Sequence, residues 1–192
     1  MAVWRDKPAV QSYLIPRWLF LRALGLIFLS AFYSLAFQAQ GLIGSHGILP
    51  VAGYLASVRE SVGAVSRFWY VPSVFWLGSS NGALSFGVAV GIASSILLVA
   101  NIWPRAMVGM CTLVFLAFVA TLQDFSSYQS DGMLLEAGFI SIFFAPGGFR
   151  PGLGAVDPPT QLSLFMLRWE WFRIYFESGL VKLLSGDHHW RD

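Results

Sequence analysis

From Ala83 to Leu122 a single charged residue, Arg105, interrupts the chain. It separates two uncharged apolar segments, Ala83–Trp103 and Ala106–Leu122. A membrane-spanning helix needs about 20 mostly apolar residues, and segments of this kind limit the chain to very few folds. The remaining sequence agrees. Of the 192 residues, 56% are hydrophobic and 11% charged, with a mean hydropathy of +0.65. Ordinary soluble domains carry about 25% charged residues. A globule of this composition lacks the polar side chains to cover its own surface, so an all-α, polytopic transmembrane helix bundle is the expected fold. The same composition excludes a disordered chain, a basic nucleic-acid-binding domain and a disulfide scaffold. The lone cysteine, Cys111, forms no internal disulfide and reads as a small buried apolar residue.

Five segments are candidates for crossing. Arg17–Gln38 is too long and begins too late to be a cleaved signal peptide. Ala83–Trp103 is ended by Pro104, and Ala106–Leu122 follows after a very short turn, giving an antiparallel hairpin. Gly132–Ala145 is short and carries Glu136. Leu162–Leu184 is long enough but holds Arg168, Glu170, Arg173, Glu177 and Lys182. The count of about five would rise by one if Phe68–Leu77 re-entered the membrane. The aromatic cluster Phe68, Trp69, Tyr70, Phe75 and Trp76 suits a membrane interface, and Val51–Ser66 reads as a short surface helix. No repeat or linker divides the chain, so residues 1–192 form one membrane-embedded helical domain, expected to be the amino-terminal part of a longer protein.

Lys and Arg near helix ends set orientation. Arg5, Lys7 and Arg17 place the amino terminus inside, together with the Pro104-Arg105 turn and the loop 146–161 with Arg150. The loop 39–82, the segment 123–131 and the carboxy-terminal SGDHHWRD then face out.

An ionisable group facing lipid at mid-bilayer costs about 2.5–3.5 kcal/mol on insertion scales. Five in one segment must pair or line a polar cavity. Glu170, Arg173 and Glu177 recur at helical spacings of three and four and share a face. Glu136 is placed to pair with Arg168 or Arg173 from another helix. Arg168 is near enough to the inner end to snorkel, and Asp131 is placed to cap the first turn of the fourth segment. Lys182 lies on a different face from the ladder. It reads either as a snorkelling lysine or as a desolvated base. Gly87, Gly91 and Ser95 form a small-xxx-small packing face. His46, in Gly44-Ser45-His46-Gly47, reads as a turn residue, and His188 and His189 lack the usual spacing of a ligand pair.

Three stretches, in order, resemble the lipase maturation factor family: Phe20–Pro50, Asp131–Pro146 and Leu167–Asp192. The last is the most specific, because its charges sit where hydropathy forbids them. The resemblance implies a multi-pass protein that assists the folding and assembly of secreted lipases. Its clients would be those lipases, its setting the lipid bilayer, and no cofactor is implied. The membrane would be the endoplasmic reticulum in a eukaryote and the plasma (inner) membrane in a bacterium. Family members usually continue past the final Trp-Arg-Asp into an extramembrane β domain. On this reading the outward motif comprises Gly41, Gly44, Gly47, Pro50, Asp187, Trp190 and Arg191.

A more distant likeness runs to the membrane domain of vitamin K-dependent gamma-carboxylase. It rests on Gly179-Leu180-Val181-Lys182-Leu183 followed by Asp187 and Trp190, and it implies Lys182 as a base acting on a quinol. A third hypothesis, a proton or small-molecule carrier, would use Glu136 and Glu177.

Overall fold

The computed structural model describes residues 13–126, 128–186 and 190. Arg5, Lys7, Asp187, His188, His189 and Arg191 lie outside the described residues. The described chain is helical, with no strand among the described residues. Helix α1 runs over Leu14–Ile43, α2 over Val51–Val62 and α3 over Arg67–Tyr70. After a 3₁₀ turn at Val74–Trp76 come α4, Asn81–Val99, and α5, Pro104–Val119. A second 3₁₀ turn, Gln123–Ser126, leads to α6, Gln129–Phe144, and then α7, Gln161–Leu184.

Two helices, α1 and α4, are long and apolar enough to cross a membrane; α5 is apolar but shorter. At 1.5 Å per residue, α1 spans about 45 Å and α4 about 28 Å, against a hydrocarbon core of about 30 Å. Helices α5 and α6 reach only about 24 Å each. The expected five crossings therefore exceed what length and apolarity alone establish. The segment 68–77 folds as short helical turns, too short to cross.

The sequence places the end of α4 at Pro104, but the helix stops earlier, at Val99. Asn101 and Trp103 take left-handed backbone angles, with φ 62° and 44°, and break the helical path first. Pro104 instead starts α5 from its N1 position. There its missing N–H is no loss, because a first-turn N–H has no intrahelical partner. Helix α6 begins at Gln129, ahead of the expected Gly132, and Tyr128 is its N-cap. Asp131 thus lies inside the first turn, where it complements the helix dipole, and does not cap it.

The core is built on α1 and α4, which pack most extensively, with α5 closing against both. The small-residue face of α4 makes this possible. A Cβ added at Gly91 would lie 2.5–2.6 Å from three ring atoms of Phe32. Phe28 and Phe32, both fully buried, meet Phe115 edge-on at 5.9 and 6.0 Å. Ser95 satisfies its hydroxyl on the Gly91 carbonyl at 2.7 Å and touches Cys111 Sγ at 3.5 Å. Around this core the long helices alternate in direction, so loops collect at two ends. One end holds the start of α1, the α4–α5 turn and the α6–α7 loop. The other holds the turn after α1, the start of α4 and the α5–α6 connection.

Candidate functional site

Helix α7 has a side-chain N-cap, with Thr160 Oγ1 accepting the Ser163 N–H at 3.1 Å. Its 3.6-residue period then stacks Glu170, Arg173 and Glu177 on one face. Arg173 Nη2 donates to both Glu170 oxygens at 3.1 Å, and its Nε lies 3.8 Å from Glu177 Oε1. The same Nη2 pairs with Glu136 Oε2, which α6 presents across the helix boundary. One guanidinium is therefore shared by three carboxylates. The Glu170 side chain is the most enclosed of the four, 11% exposed. It lines two apolar grooves. One, of about 250 Å³, lies between α6 and α7 beside Glu136, Phe139 and Trp169. The other, of about 340 Å³, lies among α1, α6 and α7 beside Leu24, Met133 and Trp171. In such low-polarity surroundings, charged hydrogen bonds between helices are strong and costly to break. The cluster thus fixes α7 against α6, where few of its residues are buried.

Arg168 stands apart from this cluster. Its Nη2 donates to the Tyr13 hydroxyl at 2.6 Å and its guanidinium lies 5.4 Å from that ring's centre. Of the two candidate partners for Glu136, the structure selects Arg173. Lys182 is on the far end of α7, its Nζ 4.5 Å from the centre of the Trp190 ring. That is a cation–π contact on an exposed surface, with no apolar cavity around the amine among those described above.

The motif after α1 is a turn that folds back on its own helix. The Gly47, Ile48 and Leu49 N–H groups donate to the carbonyls of Gly44, Gly41 and Leu42 at 2.9, 3.1 and 2.8 Å. These bonds satisfy carbonyls that a helix end leaves orphaned. A Cβ at Gly47 would lie 2.8 Å from the Leu42 carbonyl, and one at Gly44 would collide with Gln40 O. Gly41 meets nothing within 4 Å, so packing does not require a glycine there. Pro50 is the N-cap residue of α2. Asn81 at the start of α4 holds the turn, accepting the Ser45 N–H at 2.8 Å and donating to Ser45 Oγ at 3.0 Å. Gln123 Nε2 reaches the Leu49 carbonyl at 3.3 Å from the α5–α6 side.

The most elaborate polar structure is one that sequence reasoning missed. Arg17, read as a flanking charge, is 1% exposed. Its Nη1 donates to Asp157 O at 2.8 Å and Phe144 O at 3.5 Å, and its Nη2 to Gly154 O at 2.8 Å and Leu153 O at 3.1 Å. Gly154 has φ +74°, and a Cβ there would strike Arg17 Nη2. Arg105 completes the latch, with Nε on Ala145 O at 2.9 Å and Nη2 on Asp157 Oδ2 at 2.7 Å. The Gly147 N–H also donates to Asp157 Oδ2, at 2.9 Å. That backbone bond and the nearby Arg105 hold the Asp157 carboxyl below the usual carboxylate range, against a smaller opposing effect of burial. Only the glycines and prolines of loop 146–159 signal so tight a structure in the sequence.

The description "Lipase maturation factor transmembrane domain" matches residues 15–192. The chain belongs to the lipase maturation factor family. It is 30% identical to lipase maturation factor 1 of Bos taurus over 190 residues, which is 94% of this chain and 33% of that protein. Lipase maturation factor 2 of Gallus gallus is 33% identical, covering 91% of this chain and 25% of its own length. Lipase maturation factor 1 of Mus musculus is 31% identical, covering 97% of this chain and 34% of its own. The chain thus spans a quarter to a third of the length of these curated relatives. No solved structure matches it. A transmembrane family and two helices apolar enough to cross make this chain an integral membrane protein. The alternative of Lys182 as a base on a quinol gains no support from these relatives.

Proposed function

We propose that this chain is the membrane-embedded scaffold of a lipase maturation factor and assists the folding and assembly of secreted lipases. On this reading α1, α4, α5, α6 and α7 all cross the bilayer. The short α5 and α6 are accommodated between longer neighbours, and the charges of α7 are held on Arg173. The observation that carries the proposal is the family match over residues 15–192. The alternation of loops between two ends supports it. The basic residues Arg17, Arg105 and Arg150 gather at the end read as cytoplasmic, and the Gly44–Pro50 turn, with Trp190 beyond α7, lies at the other. The outward end is the surface offered to client lipases. The host membrane is the endoplasmic reticulum in a eukaryote and the plasma membrane in a bacterium.

The test is co-expression with a secreted lipase in cells that lack their own maturation factor. Secreted lipase activity per molecule should rise when the chain is present. A chain found inserted in the membrane without such a rise would end the reading. Topology is tested separately with Cys111→Ala carrying His46→Cys or Arg150→Cys, where an impermeant maleimide should label the two sites from opposite sides.

A further inference from the structure

At the end of the bundle opposite the Arg17 latch, a cleft of about 560 Å³ opens between α2, α3 and the 3₁₀ turn at Val74–Trp76. Arg59, Glu60 and Arg67 line it. The Arg67 guanidinium is stacked against two rings, 4.6 Å from the centre of Phe68 and 4.8 Å from that of Trp76. The Trp76 ring is itself held, its Nε1 donating to the Val71 carbonyl at 2.9 Å. Of the Arg67 nitrogens only Nε is buried without a partner. The two Nη groups stay accessible and bond to nothing among the described residues. Arg59, Glu60 and Arg67 form no ion pair among the described residues either. A planar fork seated on aromatic rings, with its outer donors free, suits the oxygens of a phosphate.

Phe75 and Gly78 wall this cleft and also a second cavity, an apolar groove of about 400 Å³ between α4 and α5. Phe86, Val90, Met110 and Leu113 line the groove. From Ala83 to Val90 it follows α4, a helix apolar enough to cross a membrane, for about 10 Å. Phe86 and Leu113 are exposed, so the groove opens towards lipid. Trp69, Tyr70 and Leu77, in the segment that carries the cleft, are exposed as well, and such aromatic rings settle at headgroup depth. A charged cleft that adjoins an apolar groove at that depth fits an amphiphile, and the charges select which one. Two guanidiniums answer a phosphodiester, and Glu60 is left for an ammonium. We propose that cleft and groove together bind an amine-bearing phospholipid of the phosphatidylethanolamine type. Its phosphate rests on Arg59 and Arg67, its ammonium meets Glu60, and an acyl chain lies in the groove between α4 and α5.

The experiment uses the chain purified in neutral detergent, with retained lipid read by native mass spectrometry and thermal protection read on adding lipid. Wild-type protein should retain phosphatidylethanolamine and be protected by it. Arg59→Gln combined with Arg67→Gln should raise the lipid concentration needed for protection about tenfold or more. Leu113→Trp, which fills the groove and leaves both arginines in place, should raise it too. Equal protection of wild type and either variant would overturn the proposal. Should the double variant not fold, wild type alone decides: diacylglycerol protecting as well as phosphatidylethanolamine means the phosphate is not recognised. Phosphatidylglycerol should protect less, and equal protection would overturn the amine assignment. Inorganic phosphate protecting as well as the lipid would identify a free-anion site and overturn the lipid assignment. A lipid-free dimer would give the groove to a second copy of the chain and overturn it equally.

Discussion

The guanidinium of Arg17 and the backbone carbonyl of Asp157 are 2.8 Å apart across 140 positions of sequence. This bond and its three companions tie the first helix to the last interhelical loop. Arg17→Ala strands several buried carbonyls at once. The expected loss is about 3 kcal/mol or more, because each buried carbonyl left without a donor costs about 1–3 kcal/mol. Arg17→Lys should restore only part of it, since one ammonium cannot span carbonyls on both sides of a fork. Reversible unfolding in mild detergent measures both. A lysine variant as stable as wild type would show that the fork geometry is irrelevant.

The Asp157 carboxyl gives the latch a pH dependence whose sign is fixed. Its pKa is depressed in the folded state, so its contribution is complete above the ordinary carboxylate value of about 4. It is lost as pH falls from there through the lower folded value. Wild-type stability should therefore drop towards acid more steeply than that of Asp157→Asn, and the two curves should converge at the acid end. Parallel curves between pH 6 and pH 2 would rule out this linkage.

Arg173 serves three carboxylates, so its loss should be worse than the loss of any one of them. Arg173→Gln is expected to lower the amount of folded protein in the membrane more than Glu136→Gln does. The double variant should recover part of the difference, because removing Glu136 leaves one fewer unpaired acid. Strict additivity in this cycle would mean that the α6–α7 ion pair carries no coupling.

Two glycines separate packing from function. Gly91→Ala places a methyl group against the Phe32 ring and should cost about 1–3 kcal/mol, as overpacking does. Phe32→Leu should relieve part of that. Gly41→Ala meets open space and favours helix, so stability should hold or rise. If Gly41→Ala nevertheless lowers lipase secretion, its part in the outward motif is functional. Unchanged secretion assigns that motif to helix termination alone.

How much of this was legible depends on where the information sits. The uncharged runs around Arg105 announce α4 and α5, because charge is what a membrane helix excludes. The spacing of Glu170, Arg173 and Glu177 announces a shared face for a geometric reason. The end of α4 was misplaced because Asn101 and Trp103 turn left-handed, and tryptophan carries no such signal. The choice between Arg168 and Arg173 for Glu136 depends on how α6 and α7 meet, which neither helix encodes alone. The Arg17 latch was invisible for a related reason. Its partners are backbone carbonyls, and every residue has one.

The latch also has a schedule. Arg17 enters the membrane environment early, but the carbonyls of Leu153, Gly154 and Asp157 do not exist until some 140 residues later. At about 5–20 residues per second that is a wait of roughly 7–28 seconds. Throughout it the amino-terminal helix carries a cation with no permanent partner, and only completion of the α6–α7 loop ends that exposure. A chain stalled or truncated before Gly154 thus leaves Arg17 without the loop carbonyls that hold it in the finished fold.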